Sequence, residues 1–239
     1  MGRLHLLELL SFGPNGWGSQ LLSGTWLTIR LALATLPFGL ALGLVMALAK
    51  RSKNRWMRAF GNAYTTVFRG LPELLTIFIV YFGGQIVLQK FVSLFSDAPV
   101  EINGFVAGMV ALGVVFSAYA SEVFLGAFNN IARGQYEAAY ALGLRPASTL
   151  RLIIVPQLVR LALPGLANLW LILLKDTALV SVIALEDLLR KTSLAVRVTK
   201  EPFLFFGVAC LIYLALSMVS SIGIVAIERW ANRGVRRAS

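Results

Sequence analysis

The residues Glu137-Ala138-Ala139-Tyr140-Ala141-Leu142-Gly143, followed after nine intervening residues by Ile153-Ile154-Val155-Pro156, decide how this chain is read. Arg133-Gly134 breaks the chain before them, and Gln135 to Leu142, rich in Ala and Leu, predicts a short helix with Glu137 in its first turn. Gly143 can take the left-handed conformation that ends a helix, and Pro146 suits the first turn of the next one. The expectation is a short helix, a sharp turn, and a second helix that enters a hydrophobic run by Pro156. The flanking sequence is apolar on both sides for longer than a soluble core requires.

Composition points the same way. With 58% hydrophobic and 14% charged residues and a mean hydropathy of +0.77, the 239 residues would overfill a soluble core. About 20 apolar residues cross a bilayer as a helix, and five runs reach that length. They are Ser23 to Ala49, Leu74 to Phe95, Gly104 to Phe128, Leu152 to Leu174, and Phe203 to Ile227. The second is entered from about Asn62 through the break Arg69-Gly70-Leu71-Pro72. Backbone groups in lipid must bond internally, and no short alternating strands are present, so the expected class is an all-α membrane protein with five transmembrane helices. A single transmembrane domain covers 1–239, with an external arm at 1–20, a polar loop at 133–156 and a basic tail at 228–239. Met1 to Gly18 lacks the basic start, continuous apolar stretch and small-residue cleavage site of a secretory signal.

The net charge of +11 does not mark a nucleic-acid surface, because the cations gather at the ends of the hydrophobic runs. Lys50, Arg51, Lys53, Arg55, Arg58, Arg133, Arg145, Arg151, Arg229, Arg233, Arg236 and Arg237 flank one side of the spans. These are 12 of the 22 Lys and Arg; the opposite connections hold seven. Positive-inside bias then predicts the amino end outside, the carboxyl end inside, and the Glu137 loop inside. The segment 175–201 weakens the bias and carries Asp176, Glu186, Asp187 and Glu201, which suggests a structured external or re-entrant piece. His5 and Cys210 are the only residues of their kinds, so no histidine-based metal cluster, disulfide or redox pair is available, and no cofactor is expected.

The loop with its spacing E-A-A-x3-G-x9-I-x-[LV]-P resembles the EAA loop of the membrane subunits of ATP-binding-cassette importers. Phe68-Arg69-Gly70-Leu71-Pro72-Glu73-Leu74, Ala118-Tyr119-Ala120-Ser121-Glu122-Val123-Phe124-Leu125-Gly126, and Lys175-Asp176-Thr177-Ala178-Leu179-Val180-Ser181 with Glu186-Asp187 resemble further segments of the polar-amino-acid permeases. The histidine/arginine/octopine-type permeases are the nearest in pattern, with Leu125 and Ala178 departing from it where Arg and Ser are usual. The resemblance implies a type I importer permease paired with a second, related permease. Two cytoplasmic ATP-binding subunits and an external solute-binding protein complete it, and it carries a polar, basic amino acid or opine. Glu137, Ala138, Ala139, Gly143 and Pro156 would couple to the ATPase. The chain has no G-x-x-x-x-G-K-[ST] phosphate loop and is not expected to be an enzyme. An ion-coupled secondary transporter is the alternative, although five spans do not divide into the repeated halves such carriers commonly show.

The substrate pathway is expected to draw on Glu122, Glu73, Asp176, Thr177, Ser181 and Glu186. Glu122, with no cation at Leu125, reads either as a free carboxylate facing the pathway or as a group bonded to neighbouring helices. Arg69 and Glu73 are i,i+4 across Pro72 and read as a pair. Arg30 reads as a snorkelling residue, and Gly39–Gly43 and Gly104–Gly108 as candidate helix contacts.

Overall fold

The computed structural model describes residues 8–14, 16–94, 103–183 and 185–232. Five helices among them are long and apolar enough to cross a bilayer. We label the elements α1 (Gly18–Arg51), α2 (Arg55–Gly70), α3 (Glu73–Val92), α4 (Gly104–Asn129), α5 (Arg133–Ala141), α6 (Pro146–Ile183), α7 (Leu188–Thr199) and α8 (Pro202–Ala231). The spans are α1, α3, α4, α6 and α8, in agreement with the five hydrophobic runs. Phe95, the expected end of the second run, lies outside the described residues, as do 1–7 of the arm and 233–239 of the tail.

Helices α1 and α4 run parallel and in close contact, and small residues make this possible. A Cβ on Gly39 would come within 2.5 Å of Phe116, and one on Gly43 within 2.8 Å of the Ala120 Cβ. Without a hydrophobic drive between helices in lipid, this close backbone approach is what holds them. The second expected contact is looser: a Cβ on Gly104 or Gly108 would meet its nearest neighbours, Leu185 and Val180, at ordinary distances of 3.8 and 3.4 Å. Helices α3 and α6 run antiparallel to α4 and complete the main core, which includes Leu31, Ile77, Leu112, Phe116, Leu158 and Leu173.

Helix α1 continues unbroken through Pro37. Helix α6 adapts to Pro156 differently. Pro156 cannot donate to the carbonyl of Leu152, and a π-helical turn at Leu150–Ile154 precedes it, with the Val155 N–H bonded to the Leu150 carbonyl. Its far end tightens into a 3₁₀ turn, Thr177–Ile183.

A second, smaller core forms at the end where α1 starts. Leu9, Leu10 and Trp17 of the arm fold onto Leu21, Leu188, Ala195, Phe205 and Ala209, with Trp17 edge-on to Phe205. The segment after α6 is structured there. Asp187 caps α7 by accepting from the Leu189 and Arg190 N–H groups, the Leu188 N–H donates to Thr28 Oγ1, and Lys200 ends α7 in the left-handed conformation. Burial raises the Asp187 carboxyl to about 6, against the two capping N–H bonds and the nearby Arg190, which lower it. Helix α8 buries only Phe205 and Ala209, so its apolar flanks remain open for lipid. Arg160 of α6 donates to the carbonyl of Ala231 at 2.9 Å and ties the end of α8 down.

Candidate functional site

The loop after α4 builds a rigid two-helix elbow. Helix α5 begins at Arg133, two residues before the expected start, so Glu137 falls in the second turn rather than the first. The macrodipole argument for Glu137 therefore does not apply. Gly143 has φ +74°, its N–H bonds to the Tyr140 carbonyl, and the Leu144 N–H bonds to the Ala139 carbonyl. These two bonds are the complete Schellman termination. Pro146 opens α6 as expected. Gln157 Nε2 donates to Gln135 Oε1 at 3.1 Å and pins α5 to α6.

Ala139 is fully buried against this chain's own bundle, and Tyr136 packs on the core beside it. Ala139 thus seats the helix on its own protein instead of offering it to a partner. Glu137, Ala138 and Tyr140 are exposed and form the open face. Pro156 is exposed at the root of the elbow.

Deeper in the bundle, α2 ends at Gly70, Pro72 caps the next helix, and Glu73 starts α3. Tyr64 positions α2 on α4: its hydroxyl donates to the Val114 carbonyl at 3.1 Å and lies 2.6 Å from Ser117 Oγ. The break brings Glu73 into a pocket with Tyr119 and Phe116 of α4 and with Leu169, Leu173 and Asp176 of α6. Tyr119 lies ten residues before the end of α4, which places this pocket roughly 15 Å inside the bundle. Glu73 and Asp176 repel across it, and Lys175 partly offsets that repulsion. The free space is only about 20 Å³, enough for a water but not for an amino acid, so this conformation is closed around the two carboxylates.

Glu122, one turn below Tyr119, is not a free carboxylate. The buried Lys50 donates to its Oε1 at 2.5 Å, and Arg69 Nη1 approaches the same oxygen at 3.1 Å. The cations come from α1 and the end of α2, so the Leu125 position never had to supply one. Arg69 does not pair with Glu73 as expected, because the break at Gly70–Pro72 removes the common helix that i,i+4 spacing presumes. Its guanidinium lies 5.6 Å from the Tyr119 ring centroid and so reaches from Glu122 to the pocket wall. Gly61 lets α2 pass over the Lys50 stem, since a Cβ there would meet Lys50 Cγ at 2.9 Å.

The other expected pathway residues are not gathered here. Thr177 is buried and donates to the Leu174 carbonyl of its own helix. Ser181 is half-buried in the 3₁₀ turn. Glu186 is exposed and bound by Lys191 at 2.7 Å, and that bond holds its carboxyl below the usual range. Arg30 stacks over Phe105 at 5.8 Å near the start of α4, as a snorkelling residue would. Lys50 and Tyr119 were missed as site residues. Lys50 was legible only as one of the basic cluster that follows α1, and nothing local to Tyr119 marks it.

The comparisons with known proteins agree with this architecture. The family model described as "Binding-protein-dependent transport system inner membrane component" matches residues 39–236. The chain belongs to this family. The Agrobacterium fabrum nopaline transport system permease protein NocQ is 43% identical over 96% of this chain and 98% of its own length. The Salmonella typhimurium histidine/lysine/arginine/ornithine transport system permease protein HisQ is 40% identical over 93% and 98%. Among solved structures, an amino acid ABC transporter crystallised with histidines matches with a TM-score of 0.76 and 30% identity, over 89% of this chain and 94% of that one. The methionine transporter MetNI, inward facing, shares the fold, with a TM-score of 0.72 at 17% identity over 90% of this chain and 97% of that one.

The protein is therefore a multi-pass membrane permease subunit of an ATP-binding-cassette importer. ATP hydrolysis belongs to separate ATP-binding subunits, and a solute-binding protein belongs to the same system. Family membership sets the ion-coupled alternative aside.

Proposed function

We propose that this permease carries a basic amino acid or an opine, and that Glu73 and Asp176 receive its cationic groups. The observation that carries the reading is the pair of carboxylates at the pocket. Glu73 and Asp176 share one pocket with Lys175 as the nearby cation, while Lys50 and Arg69 are engaged by Glu122. Two carboxylates against one cation at that depth favour a solute that brings a cationic group of its own. The names of the relatives, which include nopaline, octopine and histidine/lysine/arginine/ornithine systems, support the same class.

In this reading the end carrying α5 and the basic cluster is cytoplasmic, the amino end lies outside, and residues 1–239 form one transmembrane domain. Residues 1–20 are its external arm, 133–156 its coupling loop and 228–239 its cytoplasmic tail. Two ATP-binding subunits engage the open face of α5, with Glu137 and Ala138 in the contact. Ala139, Gly143 and Pro156 hold that helix rigid. A second permease, a related chain rather than an identical one, completes the pathway, and an external binding protein delivers the solute. Closure of the ATP-bound pair moves α5 and shifts the spans between two packings. Thr177, Ser181 and Glu186 lie further along α6 and beyond it, on the route towards the external face. Glu122 acts in the pathway through Arg69.

The test is uptake by the complete transporter in proteoliposomes, with arginine, ornithine, octopine and glutamine as competing solutes. Glu73→Gln and Asp176→Asn should reduce transport of arginine, ornithine and octopine while ATPase assembly stays normal. Equal transport of glutamine by the wild type, or unchanged cation transport in both variants, overturns the proposal.

A further inference from the structure

At the basic end of the bundle a second cavity opens between the end of α1, the end of α4 and the start of α5. Arg51, Phe128, Asn129, Ile131, Arg133 and Tyr136 line about 350 Å³ of free space, within the range of small-molecule sites. Arg51 lies 4.4 Å from the Phe128 ring centroid, so a buried aromatic face sets the place of its charge. Neither Arg51 nor Arg133 has a carboxylate within ion-pairing distance among the described residues. Glu137, one turn beyond Arg133 on the same helix, is not paired with it. Two uncompensated guanidiniums therefore share one polar cavity, and the exposed Arg145 and Arg151 add to the positive field of this end.

The cavity sits on the side of α5 turned towards the bundle. Tyr136, one of its walls, packs on the core that Ala139 also faces, whereas the face carrying Glu137 and Ala138 is open. It is also level with the ends of α1 and α4, where two membrane-spanning helices leave the bilayer. We propose that Arg51 and Arg133 bind the phosphate of an anionic phospholipid, which wedges between the bundle and α5 and steadies the elbow. Basic pockets between transmembrane helices at this level suit such headgroups, and guanidinium binds phosphate through paired N–H donors.

The experiment measures lipid retained by the complete transporter in nanodiscs of phosphatidylcholine with or without phosphatidylglycerol, together with its ATPase rate. Wild type should retain phosphatidylglycerol in preference and hydrolyse ATP faster with it. Arg51→Gln and Arg133→Gln should each weaken that retention by about 5-fold, and the double variant by about 25-fold. Arg51→Lys, which keeps the charge, should lose less. Retention in the double variant equal to wild type overturns the proposal. So does binding of inorganic phosphate, in phosphatidylcholine alone, that the same variants abolish, because the ligand is then soluble. ATPase assembly impaired equally in both lipids, with retention unchanged, would make the cavity a protein contact and overturn it as well.

Discussion

Replacing Gly143 isolates the backbone geometry of the elbow from everything else in the loop. Its φ of +74° is a conformation that costs an L-residue roughly 1–2 kcal/mol. Nothing of this chain lies within 4 Å of a Cβ built on it, so a side chain there meets no neighbour within the chain. The cost is therefore wholly conformational, and it follows residue type instead of size. Asn visits the left-handed region several-fold more readily than most residues, whereas a β-branched residue is an outlier there.

At about 1–2 kcal/mol the native turn loses a factor of roughly 5–30 in population. With it go the Tyr140 and Ala139 carbonyl bonds that aim α5 relative to α6. Gly143→Asn should keep most activity, Gly143→Ala less, and Gly143→Val least, with transport down by about 5–30-fold. Membrane insertion should be normal in all three, since the spans are untouched. ATPase activity and uptake measured on the same proteoliposomes distinguish poor assembly from uncoupling. The Asn and Ala variants are decisive, because Asn is the larger but the better suited to the turn. Loss that follows side-chain size, or wild-type uptake in Gly143→Val, refutes the reasoning.

Other perturbations test other parts of the fold. Lys50→Met leaves Glu122 with Arg69 alone, and Glu122→Gln leaves Lys50 buried without its partner; each should destabilise the protein, while the double variant should be more stable than the sum of the two. Thermal unfolding in detergent reads this cycle, and strict additivity would show that Lys50 and Glu122 do not act together. Asp187 is raised from 3.8 to about 6 mainly by burial, so the folded protein binds its proton more tightly than the unfolded chain. Stability should accordingly be highest near pH 4, fall as pH rises through about 6, and stay level above that. Asp187→Asn keeps an acceptor for the α7 cap and should raise the melting temperature at pH 7 and flatten this slope; an unchanged slope rejects the assignment. Gly43→Leu should cost about 1–3 kcal/mol by overpacking α1 against Ala120. Gly108→Ala, at an ordinary contact distance, should be near neutral, and equal losses in expression and melting temperature would contradict the packing described here.

What the chain reveals without coordinates follows the range of the interactions involved. The five spans were legible because hydrophobic length is a local property, and the elbow because Gly143, Pro146 and the E-A-A spacing act within about two helical turns. The site depends on contacts that no local spacing encodes. Lys50 and Glu122 are 72 positions apart, and Tyr64 reaches Ser117 across 53. The i,i+4 rule joined Arg69 to Glu73 because it assumes an unbroken helix, although Gly70 and Pro72 in the same stretch already argue against one. The spacing Gly104–Gly108 matches Gly39–Gly43, but only the latter pair faces a neighbouring helix closely enough for its missing side chains to matter. Charge balance at the pocket depends on the fold in the same way. A chain with so few charges inside its spans must pair them within the bundle or with its solute; Glu122 engages Lys50 and Arg69, which leaves Glu73 and Asp176 with Lys175 and a cationic group of the solute to meet. The identity of each partner, and with it the sign of the charge left over at the pocket, required the fold. That leftover charge is the one a cationic group of the transported solute meets.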